Sequence, residues 1–176
     1  LYAMKLYPYT EDNKKSPFYQ NELRAAELDH PNICSPVYFE ECCEFTVNDT
    51  IKLFSAIYAP YAAYGDFFNL ITGSNVMVDE KIVRTLFIQL AKGLQYMHSK
   101  GYSHLDLKPE NLVLADDFSL KIIDFDLIHH ENDDGVKGRG SSCYRAPELL
   151  KSRPNIDAKK CDVYSAGMIL FIMKSQ

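Results

Sequence analysis

The stretch HLDLKPEN, from His104 to Asn111, packs a histidine, two acids, a lysine and an asparagine together. IIDFDL follows from Ile122, with Asp124 and Asp126 on either side of Phe125. Oxygen ligands such as those of Asn111 and Asp124 suit Mg2+, a hard cation that takes its remaining ligands from waters and phosphates. A second aspartate, Asp106, can accept a proton from a hydroxyl, and Lys108 can neutralise charge moving between oxygens. These four residues match phosphoryl transfer, in which positioning and charge stabilisation do nearly everything. Pro109 biases Lys108 away from helical geometry, so the set stands on a loop. Loops held between rigid elements often carry catalytic groups.

The elements that must hold this loop are readable from periodicity. Val83, Leu86, Phe87, Leu90, Leu94 and Met97 recur at helical spacing and predict a helix over 78–101, with Asp79 as N-cap and Gly101 as its stop. Short strands follow at 111–115 and 120–124, separated by the turn residues Asp116 and Asp117. Residues 129–142 read as irregular, and a last helix begins near Asp157. Upstream, LYAMKLYPY is a strand ending at Pro8. Residues 18–30 form a helix that stops before Pro31, with Leu23, Ala25 and Ala26 on one side. Residues 33–60 give two or three strands, with a turn at Asn48–Asp49. Strands with one helix, then a mostly helical half, predict an α+β fold with two lobes joined near 58–65.

The chain has 176 residues, 47% hydrophobic and 24% charged, enough for one compact core or two small lobes. No low-complexity tract or fixed repeat occurs, which excludes solenoids and disordered tails. A net charge of −5 gives no electrostatic reason to expect nucleic acid or an anionic membrane as partner. The five cysteines include no CxxC pair and read as reduced thiols of a cytoplasmic, or alternatively nuclear, protein. LYAMKLY lacks the apolar core of a signal peptide. The longest apolar run, Ala166–Met173, is far shorter than the ~20 residues that span a bilayer and reads as a buried helix or strand. A helix apolar on all sides needs neighbours to cover it, and the chain stops soon after, so it is expected to be a fragment cut in mid-fold.

In order and spacing these stretches resemble the eukaryotic protein kinases of serine/threonine type, over essentially the whole chain. YAMKLY is similar to the lysine strand of that family, HLDLKPEN to its catalytic loop and DFD to its D-F-G motif. SSCYRAPE, Ser141–Glu148, resembles the end of the activation segment, and DVYSAG the start of the helix that anchors the catalytic loop. The resemblance implies a two-lobed protein-kinase-like fold, partial here: the small lobe lacks its first strands and the large lobe its last helices. It divides the chain into residues 1–58 of the small lobe, a hinge at 59–66, and residues 67–176 of the large lobe. The catalytic loop is 104–111 and the activation segment 124–148.

It further implies ATP and Mg2+ as cofactors and a protein serine or threonine as substrate, with no nucleic acid and no membrane as partner. Asp106 would be the base and Lys108 its phosphate-side partner, with Asn111 and Asp124 as metal ligands. Lys5 would hold the α- and β-phosphates, paired with Glu22 on the first helix or with the competitor Glu27. Ala3 and Val113 would sandwich the adenine, and Ile57 to Ala59 would offer hinge backbone groups with Ala56 as back wall. Asp66 would meet the ribose or a substrate residue, or cap a helix. His104 would pack and orient the loop. Ser141 stands where a threonine usually bonds Asp106 and Lys108. The linker APYAAYG is about three residues longer than usual for the family.

Departures from the pattern carry their own expectations. No G-x-G-x-x-G occurs. Leu105 replaces the arginine that, in many members, binds a phosphate on the activation loop; activity is therefore expected not to need that phosphorylation. Asp126 replaces the glycine of D-F-G, expected to cost ~1–2 kcal/mol of backbone strain. Glu148 is expected to be unpaired. The alternative reading is a catalytically impaired pseudokinase, a binding or scaffold module.

Overall fold

The computed structural model describes residues 1–9, 16–69, 79–136, 138–150 and 155–175. Strands β1 (Tyr2–Pro8), β2 (Tyr38–Val47) and β3 (Thr50–Pro60) form an antiparallel sheet in the order β1-β3-β2. The β2–β3 hairpin turns on Asn48 and Asp49, at φ 50 and 58. Two left-handed central residues match the twist of the strands they join, and Asn and Asp tolerate that region better than other side chains. The turn expected there is the one observed.

Helix α1 (Pro17–Ala25) starts on a proline, whose missing N–H is no loss in a first turn. It ends five residues before the position expected from Pro31. The N–H groups of Ala26, Glu27 and Leu28 bond three residues back, at 3.1 to 3.3 Å, and Leu28 turns into the core. The buried face is Tyr19, Glu22 and Ala25, and Ala26 is exposed rather than part of it. A carboxylate on the inner face of a helix needs a partner there.

Helix α2 (Glu80–Ser99) is capped by Asp79, which accepts the Lys81 N–H at 2.7 Å. Val83, Leu86, Leu90, Leu94 and Met97 are buried as expected, and Phe87 is half-buried. After the short strand β4 (Tyr102–Ser103), the loop and a 3-10 turn (Pro109–Asn111) lead into the hairpin β5 (Leu112–Leu114) and β6 (Leu120–Ile122). Strand β7 (His129–His130) pairs with β4, where the sequence had suggested irregular chain. Two residues are too few for a strand's alternation to show. Helix α3 (Ala158–Lys174) begins beside Asp157 as expected, is capped by it, and contains the apolar run. Ala166, Ile169 and Met173 are buried, whereas Phe171 is 68% exposed, so one side of the helix is covered and not the whole.

Leu90 and Met97 of α2, Leu112, Leu120 and Ile122 of the hairpin and Ile169 of α3 belong to one core. Each such side chain contributes about 1.5–3 kcal/mol on burial. Leu107 is buried in the same core, while its neighbours Asp106 and Lys108 are half-buried. The loop is thus pinned by buried residues and presents Asp106 and Lys108. Among the described residues, no helix is long and apolar enough to cross a membrane.

Candidate active site

Asp162, in the first turns of α3, is fully buried and supports the loop from below. Its carboxylate accepts the backbone N–H groups of His104 (2.9 Å) and Leu105 (2.8 Å), and faces His98 Nε2 at 2.9 Å. Leu105 is held at φ 62, a left-handed conformation that a leucine does not adopt unaided. His104 packs on Phe125, its Nε2 meets the Ile123 carbonyl at 3.0 Å, and its Nδ1 accepts the Asp106 N–H at 3.2 Å. Both ring nitrogens are committed, so the histidine orients the loop, as expected.

Four donors then converge on the Asp106 carboxylate. Oδ1 accepts the N–H and O–H of Ser141, at 2.7 and 2.8 Å; Oδ2 accepts Lys108 Nζ at 2.8 Å and Asn111 Nδ2 at 3.3 Å. Lys108 also donates to Ser141 Oγ at 3.0 Å. Burial works to lower the Lys108 pKa, but the hydrogen bond and charge of Asp106 outweigh it and hold the ammonium above its ordinary value. The amide nitrogen of Asn111 is spent on Asp106, which leaves its oxygen for a cation. Gly140, next to Ser141, has φ 89, and a Cβ there would lie 2.4 Å from the Leu105 carbonyl oxygen. Left-handed backbone costs an alanine about 1–2 kcal/mol, and the contact adds to it. Gly140→Ala is therefore expected to lower the melting temperature by about 4–8 °C; an unchanged melting curve would show that the close approach is not needed.

Across the cleft, Lys5 Nζ meets three carboxylates: Glu22 Oε1 at 3.1 Å, Asp124 Oδ1 at 2.5 Å and Asp126 Oδ1 at 2.8 Å. Glu22 is thus the partner brought to the lysine; Glu27 is exposed, on the turn after α1. Glu22 Oε1 also accepts the Phe125 N–H at 3.2 Å. Burial raises the Glu22 pKa, and Lys5 offsets this only in part. Burial likewise works against the charged forms of Lys5 and Asp124, yet their mutual attraction wins: Lys5 is raised, with Glu22 as its largest charged neighbour, and Asp124 is lowered. Buried Tyr7 donates to Asp126 Oδ1 at 2.5 Å; burial, then Glu22 and Asp126, hold its hydroxyl protonated. The strain expected at Asp126 is not there. The left-handed residue of the motif is Asp124, at φ 66, and Asp126 lies outside that region.

The cleft between these groups has a volume of about 430 Å³. Ala3, Ile57, Ala59, Asp66 and Val113 line it together with Lys5, Glu22, Asn111 and Asp124. Ala56, expected as its back wall, is buried off the cleft. Ile57 is the cross-strand partner of Lys5, so its side chain shares the lysine's face and Ala56 points the other way. Asp66 accepts from the Asn69 N–H and Nδ2, at 2.8 and 2.7 Å, and so caps the residues after it while facing the cleft.

Other contacts link the segment after Asp124 to its surroundings. Leu105 is 4% exposed and clusters with Val136, Ala146, Leu149 and Cys161. Arg24 on α1 forms a two-pronged pair with Asp133, at 2.8 and 3.1 Å, and lies over the Tyr102 ring. Glu148, expected to lack an arginine partner, accepts the Cys161 S–H at 3.8 Å. Burial, then Glu148, push the Cys161 thiol up to about 12. Sequence reasoning missed Tyr7, Asn21, Arg24 and Asp133. Tyr7 had a signal, since alternation places it on the same face as Lys5.

Comparison with known proteins agrees with this geometry. The protein kinase domain family matches residues 1–176. Serine/threonine-protein kinase KIN4 of Saccharomyces cerevisiae is 35% identical over 164 residues, 92% of this chain and 19% of that protein. Serine/threonine-protein kinase cds1 of Schizosaccharomyces pombe is 32% identical over 177 residues, 96% of this chain and 36% of that protein. Maternal embryonic leucine zipper kinase of Danio rerio is 30% identical over 178 residues, 97% of this chain and 24% of that protein. The chain therefore spans well under half the length of these relatives. With a family match from its first residue to its last, and relatives at this identity, the chain belongs to the protein kinase domain family.

Proposed function

We propose that this chain is the catalytic part of a serine/threonine protein kinase, transferring the ATP γ-phosphoryl group to protein hydroxyls. The observation that carries this reading is that Lys5, Glu22, Asn111 and Asp124 line one cleft, while Asn111 bonds Asp106, which Lys108 also meets. Residues 1–58 serve as the small lobe, 59–66 as the hinge and 67–176 as the large lobe. The donor set fits the cofactors: the carboxylate of Asp124 and the amide oxygen of Asn111 are hard ligands for Mg2+. Mg2+, when bound, neutralises phosphate charge. Asp106 orients the substrate hydroxyl and takes its proton, while Lys108 offsets the charge that develops between oxygens. Lys5, kept in place by Glu22, binds the α- and β-phosphates, and Ala3, Ile57, Ala59, Val113 and Asp66 receive the adenosine. The five free thiols support a reducing compartment, cytoplasm or nucleus.

The test is transfer of labelled phosphate from ATP and Mg2+ to a generic basic protein, followed by identification of the labelled residue. Phosphoserine or phosphothreonine is expected; phosphotyrosine alone would overturn the substrate class. The pseudokinase reading is favoured by one observation, the third carboxylate on Lys5, and predicts no transfer above an Asp106→Asn control.

The buried Leu105 and the filled Arg24–Asp133 fork bear on regulation of this activity. Leucine offers no charge for a phosphate, and Asp133 already satisfies the nearby arginine. Treatment with a broad phosphatase is expected to leave the transfer rate within about twofold. A tenfold fall would show that a phosphorylated residue is required.

A further inference from the structure

We propose that Asp126, in the place where the family pattern has glycine, is a positioning residue that locks α1 and β1 onto the loop carrying Asp124. This deepens the kinase reading and rests on it for its meaning, although its geometry stands alone. One side-chain oxygen, Oδ1, accepts both the Tyr7 hydroxyl at 2.5 Å and the Lys5 ammonium at 2.8 Å. The backbone carbonyl of the same residue accepts Asn21 Nδ2 at 2.6 Å. Tyr7 and Lys5 lie on β1, and Asn21 lies on α1 beside Glu22. Asp126 thus touches both elements that supply the lysine–glutamate pair.

A glycine would keep the carbonyl contact and lose the rest. Among the described residues, the buried Tyr7 hydroxyl would retain only its 3.4 Å contact with Glu22. That leaves a buried donor poorly satisfied and removes one of the links between β1 and the motif. The side chain also carries little backbone penalty, since the left-handed residue here is Asp124. Its place on Lys5 has a further use. Asp124 is the carboxylate that a metal would claim, and when it turns away Lys5 still holds Glu22 and Asp126. Lys5, at 3.1 Å from Glu22, would therefore keep a second carboxylate beside it if Asp124 took a metal.

Backbone hydrogen exchange of α1, read in the full chain without nucleotide, tests this. Asp126→Gly and Tyr7→Phe are each expected to speed exchange of the Glu22–Ala25 amides about tenfold. The Tyr7→Phe/Asp126→Gly double variant is expected to exchange only slightly faster than Asp126→Gly, because the tyrosine acts chiefly through the aspartate and keeps a longer 3.4 Å contact with Glu22. Asp126→Asn keeps an acceptor oxygen and is expected to exchange more slowly than Asp126→Gly. Parent-like exchange in Asp126→Gly, or effects of the two single changes that add in full, would overturn the lock. Should Asp126→Gly fail to fold, Tyr7→Phe compared in the parent and Asp126→Asn backgrounds gives the same coupling: a smaller effect in the Asn background supports the lock and an equal effect overturns it. The readout involves neither nucleotide nor transfer, so a failed lock leaves the proposed function standing and an inactive protein leaves the lock standing.

Discussion

Asp106→Asn is expected to lower the phosphoryl-transfer rate by about 10²–10⁴-fold, the usual contribution of a positioned general base. The change is nearly isosteric, so the Ser141 N–H keeps an oxygen to meet, while Lys108 and Asn111 face an NH2 in place of Oδ2. What is lost is the carboxylate that takes the hydroxyl proton and balances Lys108. Nucleotide affinity is expected to stay within about twofold, because the cleft residues that meet ATP in this reading do not include Asp106. The measurement is kcat beside an equilibrium nucleotide titration. Equal kcat in parent and variant would remove Asp106 from the mechanism. A large loss of nucleotide affinity would mean that the substitution had disturbed the cleft, not the chemistry.

Asp162→Ala is expected to cost the most stability of any single change considered. It strands two buried backbone N–H groups, those of His104 and Leu105, which now bond one carboxylate at 2.9 and 2.8 Å. Each stranded donor costs about 1–3 kcal/mol, so the pair comes to about 2–6 kcal/mol. Leu105 also loses what holds it at φ 62, and Asp106 stands next to it. The melting temperature is expected to fall by about 10 °C, with kcat falling alongside. Asp162→Asn keeps one acceptor oxygen and is expected to fall between parent and alanine. A full-length Asp162→Ala protein that melts with the parent would show that water or a rearranged loop satisfies those N–H groups.

Local features were the legible ones. The apolar spacing of α2 and its Asp79 cap stand in the sequence as they stand in the fold, and so does the Asn48–Asp49 turn. The four residues proposed for the chemistry stood out because each sits within a short motif. What could not be read depends on distant pairing. Ile57 lines the cleft and Ala56 does not, because strand register decides which of two neighbours faces it, and a shift of one residue reverses the answer. The Arg24–Asp133 pair joins residues 109 apart, and the Tyr7–Asp126 contact joins residues 119 apart. No local pattern announces such contacts. Asp126 looked like a strained substitution because the motif alone does not show which of its residues is left-handed.

The Asp162 contacts also bear on when the site comes into being. His104 is held by a residue 58 positions further along the chain. At about 5–20 residues per second, a ribosome reaches that residue some 3–12 seconds after it has made the loop. During that interval His104 to Asn111 has its chemistry but not its support. The loop depends on a helix that is still being synthesised, so the site's completion is timed by translation itself: codons that slow the stretch before Asp162 would lengthen the exposure of the unanchored loop to proteases and chaperones.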